Sequence, residues 1–411
     1  MSAMTRRLVT SMVVGLLALA GAAGCGGSDT PPSTRTTTVT SSTTSAEPST
    51  TPTTTPTVAP EGWRALPEPP GAFGLINVWT GREVLASWSA CCENMDGRVV
   101  YAYDPDTRTW RSLPKFPLGS RHNSAFVWTG QELLQVGGSR DRSDPEAKMF
   151  DDLVPVRNGM ALDPDTGRWR AIADAPRDMP FIEWTVWTGS EAIFADATSL
   201  LRYDPSSDRW TVGKPVPGEH RGSPAVVWTG DEVVVWGGGL TRSDPDEPES
   251  QRQLSVRDGY AYNPATNRWR TVPAAPIGAS GSIGVWTGEQ VLVWGGTSTR
   301  NQGAEHYAQT QGASWDPRTG DWTLIPAAPT DNIPRYDLTG AWTGRELVVV
   351  TENGTQAGQG AAFDPATWTW RAVPLPWDVR ACELFSVWTD RSLVLLPGSF
   401  CDSGWEYYPG Y

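Results

Sequence analysis

The chain has 411 residues, with 46 acidic against 33 basic side chains and a formal net charge of −13. That sign excludes nucleic acid as a partner, because a phosphate backbone demands a basic surface. The basic residues are nearly all Arg; Lys115, Lys148 and Lys214 are the only lysines.

Residues 1–24 read as an export signal. Arg6-Arg7 precedes an apolar run, Leu8 to Ala23, that is too short to span a bilayer. The following Ala22-Ala23-Gly24-Cys25 resembles the lipobox of bacterial lipoproteins. That resemblance implies that Cys25 is lipidated and becomes the first mature residue. The expected location is the outer face of the bacterial cytoplasmic membrane or the cell envelope, with the membrane as a partner through this anchor. Residues 25–60 are Ser, Thr and Pro with almost no large apolar side chain. Such a segment cannot bury enough surface to offset its ordering entropy, so it reads as a disordered tether.

From residue 61 to 411 the chain repeats. Val-Trp-Thr-Gly, or a close variant, places Trp at 79, 128, 187, 228, 286, 342 and 388, about every 50 residues. An apolar run follows each copy, as in Val233-Val234-Val235-Trp236. A second motif runs in step: Tyr103-Asp104-Pro105 with Trp110, Tyr203-Asp204-Pro205 with Trp210, Phe363-Asp364-Pro365 with Trp370. Asp-Pro is turn chemistry, and the Trp after it opens another strand. Each unit therefore predicts four strands: A ending at the first Trp, B after the hairpin, C ending at Asp-Pro, D starting at the second Trp. Strand B often ends in Gly-Gly, at 137-138, 237-238 and 295-296.

These features resemble the kelch family and the propeller domain of galactose oxidase, over all of 61–411. The resemblance implies an all-β, seven-bladed propeller of four-stranded blades. The sequence also counts its own closure. Gly62-Trp63-Arg64-Ala65-Leu66-Pro67 copies Thr109-Trp110-Arg111-Ser112-Leu113-Pro114, so the N-terminal strand is expected to complete the C-terminal blade. Blades two and four share Arg-Ser-Asp-Pro at 142–145 and 242–245, which reads as a two-blade duplication. Seven Trp at one register are expected to pack blades rather than to bind sugars.

In a kelch-like propeller the D–A and B–C loops share one face. The B–C loops of blades two, four and five are long, so that face is the expected functional face. Counting back from each Trp puts Arg121, Arg221 and Arg335 at the entry to strand A, with Arg157 and Arg257 entering strand C. Guanidinium groups there suit a carboxylate, a phosphate or an acidic peptide. Pairing with local acids such as Glu183 or Asp258 is the competing expectation. His122, His220 and Tyr336 complete the candidate ligand-binding set, with His306 in a loop of the same face. His, Tyr and Cys near one mouth resemble the copper site of galactose oxidase. This chain lacks that family's adjacent Tyr-His pair, so no metal, no cofactor and no catalytic residue is assigned. Acid-rich 244–249 reads as a solvated loop. Cys91, Cys92, Cys382 and Cys401 are an even set in an exported chain and imply disulfides. Cys382 with Cys401 across one hairpin, or Cys91 or Cys92 with Cys401 across the closure, are the pairings considered. No nucleophile elbow, phosphate loop or dinucleotide fingerprint is present.

The resulting expectation is a recognition module for a carbohydrate, peptide or protein, or for an anionic ligand. Two other readings stand beside it. One is a carbohydrate-active enzyme, a galactose-oxidase-like oxidase or a sugar epimerase. The other is a structural part of a cell-envelope complex.

Overall fold

The computed structural model describes residues 62–68, 70, 73–88, 99–119, 121–141, 153–243, 251–329, 338–353, 356–376, 384–398 and 403–410. All fall in one compact unit, Ala59–Tyr411. The sequence candidates Cys25, Cys91, Cys92, Cys382, Cys401, Arg335 and Tyr336 lie outside the described residues.

Seven four-stranded antiparallel sheets form the blades. Blade four is typical: Ala225–Trp228 (A), Val233–Trp236 (B), Gly259–Asn263 (C) and Arg268–Val272 (D). The innermost strands neighbour one another around the ring, and Phe73–Trp79 of blade one meets Leu384–Trp388 of blade seven. Trp63–Ala65 supplies strand D of blade seven, with Trp63 opposite Tyr407 and Ala65 opposite Trp405. The expected closure is therefore the observed one, and no sheet edge is left open at the seam.

The core is a set of seven layers between blades. Each joins two neighbours, as Val234 and Trp236 of blade four join Val291 and Val293 of blade five. Strand B lies between two such layers, so both of its faces are covered. Val233 and Val234 are 0% exposed and Trp236 is 1%. This is why strand B reads as an unbroken apolar run rather than an alternation. Each buried Val contributes about 1.5–3 kcal/mol. The Trp of each Val-Trp-Thr motif packs against one layer, from Trp79 in the seam to Trp388 beside it. The second Trp works differently. Its indole N–H donates to a carbonyl of the preceding blade: Trp210 to Ala173 at 2.7 Å, Trp269 to Lys214, Trp322 to Pro273 and Trp370 to Pro326, each at 2.9 Å. Both Trp series hold blades together, as expected of the first; for the second the sequence predicts only the opening of strand D.

The Thr of the motif closes the A–B hairpin. Trp228 pairs with Val233, so four residues lie between the strands. Thr229 N donates to Glu232 O at 3.0 Å, while Glu232 N donates to the Thr229 hydroxyl at 3.1 Å. The hydroxyl replaces a backbone carbonyl, and Gly230 at φ 97 makes the turn.

The long B–C loops carry strands of their own. Each is a β-hairpin standing on its blade: Ser139–Asp141 with Leu153–Pro155, Gly239–Ser243 with Gln251–Ser255, and Thr297–Arg300 with Glu305–Ala308. The Gly-Gly pair at the end of strand B makes the bend. Gly237 and Gly238 have φ 69 and 93, and a Cβ on Gly237 would lie 2.6 Å from Ala279 O. The hairpins of blades four and five lean on each other through Ser255 and Thr299. Each backbone N–H donates to the other's hydroxyl, at 2.9 and 3.0 Å.

Candidate functional site

The two described arginines at the strand A entry fasten the hairpin bases. Arg121 is 4% exposed. It donates to Asn158 Oδ1 at 2.7 Å, Asn158 O at 3.0 Å and Gly137 O at 3.2 Å. Burial, with the nearby charge of Arg140, pushes its pKa down. Arg221 repeats the arrangement in blade four, donating to Asp258 O at 2.8 Å and Oδ2 at 3.1 Å. Its guanidinium also lies 5.0 Å from the Tyr260 ring centroid. Each ties the start of strand A to the start of strand C.

The remaining candidates are spread over the same face. Arg157 lies 3.6 Å from Asp174, both more than half exposed, a pair worth little in water. Arg257 is exposed, and its Nε donates to Ala275 O at 2.8 Å. His122 is buried, and its backbone pairs with Ser139 at the base of the blade-two hairpin. His306 sits in the blade-five hairpin opposite Thr299. Among the described residues, no three His, Cys, Asp or Glu side chains group as metal ligands.

One candidate stands in a charged cluster. His220 Nε2 contacts Glu183 Oε1, joining the entry loop of blade four to that of blade three. The Glu183 side chain is only 14% exposed, and burial pushes its carboxyl above the usual range; His220 opposes this and Asp196 adds to it. Asp196 lies at the B–C turn of blade three. Burial would raise its pKa too, but bonds from Thr198 and Ser199 hold it down. Arg177 donates to Asp196 Oδ2 at 2.8 Å and to the Thr198 hydroxyl at 3.2 Å. Arg177, Asp196, Glu183 and His220 thus form one run of charge. Glu183 was visible in the sequence only as a competing partner for the arginines. Arg177 and Asp196 carried no repeat signal.

The opposite face holds a regular belt that the sequence reading missed. The Glu three residues after the motif Thr takes a bidentate bond from the Arg that follows the strand D Trp. Glu83–Arg111, Glu132–Arg170, Glu232–Arg270 and Glu346–Arg371 all do so. Where strand D reads Trp-Thr, the pair is rebuilt. Blade three moves the Arg to strand C as Arg202, and blade five uses Gln290 with Ser314. Two clefts of about 470 and 300 Å³ lie along this belt, lined by such paired charges.

The solved structure of YjhT matches 75% of this chain and 99% of its own length, with a TM-score of 0.52 and 16% identity. The chain is a kelch-like seven-bladed β-propeller. The likeness speaks to the fold alone. No protein-family model matches the chain. A stretch of 96 residues is 33% identical to the N-acetylneuraminate epimerases of two Haemophilus influenzae strains, PittEE and 86-028NP. It is 23% of the propeller chain, which spans 24% of the length of those relatives.

Proposed function

We propose that the chain is a lipid-anchored, exported propeller that recognises a carbohydrate bearing an acidic group. The observation that carries this reading is the difference between the two faces. One face has uniform turns, and its Arg and Glu charges are spent on one another. The other carries three β-hairpins and the charged run from Arg177 to His220. Binding usually lives on such irregular rims of a rigid ring. The stretch related to N-acetylneuraminate epimerases favours a sugar acid among the ligands that suit cationic loops. Anchoring rests on the Ala22-Ala23-Gly24-Cys25 pattern. Calorimetric titration of the full chain with N-acetylneuraminate and with a neutral amino sugar tests the ligand class. Saturable binding of the acid alone supports it, and no heat with either removes it. Mass spectrometry of the mature N-terminus tests the anchor, and an unmodified Cys25 would remove it.

A second reading is favoured by Glu183 and His220. A carboxyl raised by burial beside an imidazole can hold or move a proton, as a sugar epimerase requires. Following anomer interconversion of N-acetylneuraminate by NMR tests it. A rate no faster than without protein would reject catalysis while leaving recognition intact.

A further inference from the structure

We infer that the sugar site is the notch above blade three, built from Arg177, Phe181 and the Glu183–His220 pair. The inference rests on the acidic-carbohydrate reading and gives it a place on the ring. The notch follows from loop lengths. Blades two and four raise paired strands beyond B and C, Ser139–Asp141 with Leu153–Pro155 and Gly239–Ser243 with Gln251–Ser255. Blade three, between them, crosses from B to C in the tight turn Asp196–Ser199, closed by Asp196 N to Ser199 O at 3.0 Å. Two walls therefore flank a low floor.

The floor carries three kinds of group. Phe181 is 47% exposed, one of three large apolar side chains so placed among the described residues. Val212 and Leu324, the other two, lie on outer strands D. Phe181 instead sits in the entry loop of blade three, next to Pro180, whose carbonyl accepts from the Ser139 hydroxyl of the blade-two hairpin at 3.4 Å. Two residues on, Glu183 reaches His220 below the blade-four hairpin. An exposed aromatic ring in the loop between the two hairpins, two residues from Glu183, suits the apolar face of a pyranose ring. Beyond their mutual contact, Glu183 keeps a second carboxyl oxygen and His220 a second ring nitrogen, polar atoms of the kind that pair with neighbouring hydroxyls. Arg177 spends Nη2 on Asp196 and Thr198, while its side chain stays 43% exposed, so a cationic edge remains for a carboxylate. Asp196 fixes that guanidinium, and its own oxygens are taken up by Thr198 and Ser199.

The test is calorimetry of the full chain with N-acetylneuraminate and with its methyl ester. Phe181→Ala, at an exposed position, should weaken binding by about tenfold, the loss of one aromatic contact. His220→Gln should weaken it too. Arg177→Gln should abolish the preference for the free acid over the ester without abolishing binding of the ester. Unchanged affinity in both Phe181→Ala and His220→Gln, with wild-type binding intact, would overturn the notch and leave the acidic-sugar reading standing. A wild-type protein that binds neither compound would overturn both. Melting curves of each variant separate lost contacts from lost folding.

Discussion

The indole N–H of Trp79 donates to Oδ2 of Asp390 at 2.7 Å, across the seam between the first blade and the last. Asp390 occupies the hairpin position that is Gly in the other six copies of the motif. It keeps their left-handed backbone, at φ 65 against 92 for Gly81. A residue that strains its own turn thus adds a bond between the two ends of the ring.

Asp390→Gly removes the bond and relieves the backbone; Asp390→Ala removes the bond and keeps the strain. Urea unfolding should therefore rank Ala below Gly by about 1 kcal/mol, the left-handed penalty of a side chain. Equal stability of the two variants would mean that the turn is not strained.

The Glu–Arg belt predicts a specific rescue. Glu346 is almost wholly buried and takes two bonds from Arg371, at 2.9 and 2.6 Å. Arg371→Thr leaves that carboxylate buried and unpaired, at a cost of about 1–2 kcal/mol after allowing for the exposed Arg. Adding Glu346→Gln removes the buried charge and should recover part of the loss, without the hydroxyl that Ser314 gives Gln290 in blade five. A double variant as unstable as the single one would contradict this.

Acid should loosen the ring through its depressed carboxyls. Glu83 is held low chiefly by the bonds from Arg111, and Asp208 by the backbone N–H of Ala173 in the neighbouring blade. Their folded pKa values lie below the unfolded ones. The stability they contribute is present above the ordinary carboxylate range and is lost as pH falls through the folded values. Melting temperature should hold steady down to about pH 5 and drop below about pH 4. Asp208→Asn should flatten part of that drop.

The second Trp series can be tested atom by atom. Trp210→Phe keeps a ring against Tyr203 and Phe194 but deletes the 2.7 Å bond to Ala173 O. It should cost about 1 kcal/mol. Trp210→Ala also empties the layer and should cost about 3–5 kcal/mol. Similar losses from both would show that the bond, not the ring, carries the blade contact.

The sequence made the ring legible because repetition is a local signal. Each Trp marks a register, and the missing seventh strand D could be found by its likeness to residues 109–114. The hairpins on blades two, four and five escaped for a physical reason. A strand such as Gln251–Ser255 lies outside the seven layers and is only half-buried, against the polar hairpin of blade five, so it needs no apolar alternation. The Glu–Arg belt was written in the chain, as Thr-Gly-x-Glu in blades one, two, four and six, whose strand D reads Trp-Arg. Its partners are tens of residues apart and meet only across finished strands. Glu183 and His220 belong to different blades and to loops outside the repeat, so spacing could not join them.

The strand Trp63–Ala65 is the first of the propeller to be synthesised, and its partner, Trp405–Tyr407, is the last. Until that partner arrives, the strand has no edge to join and blade seven has only two paired strands, Leu384–Trp388 and Leu393–Pro397. Six blades can form in order from local hairpins, which close quickly, but the final pairing spans nearly the whole domain and closes slowly. Ring closure is therefore a completion signal. A chain truncated before residue 405 would leave its own first strand unpaired and its seam open to quality control.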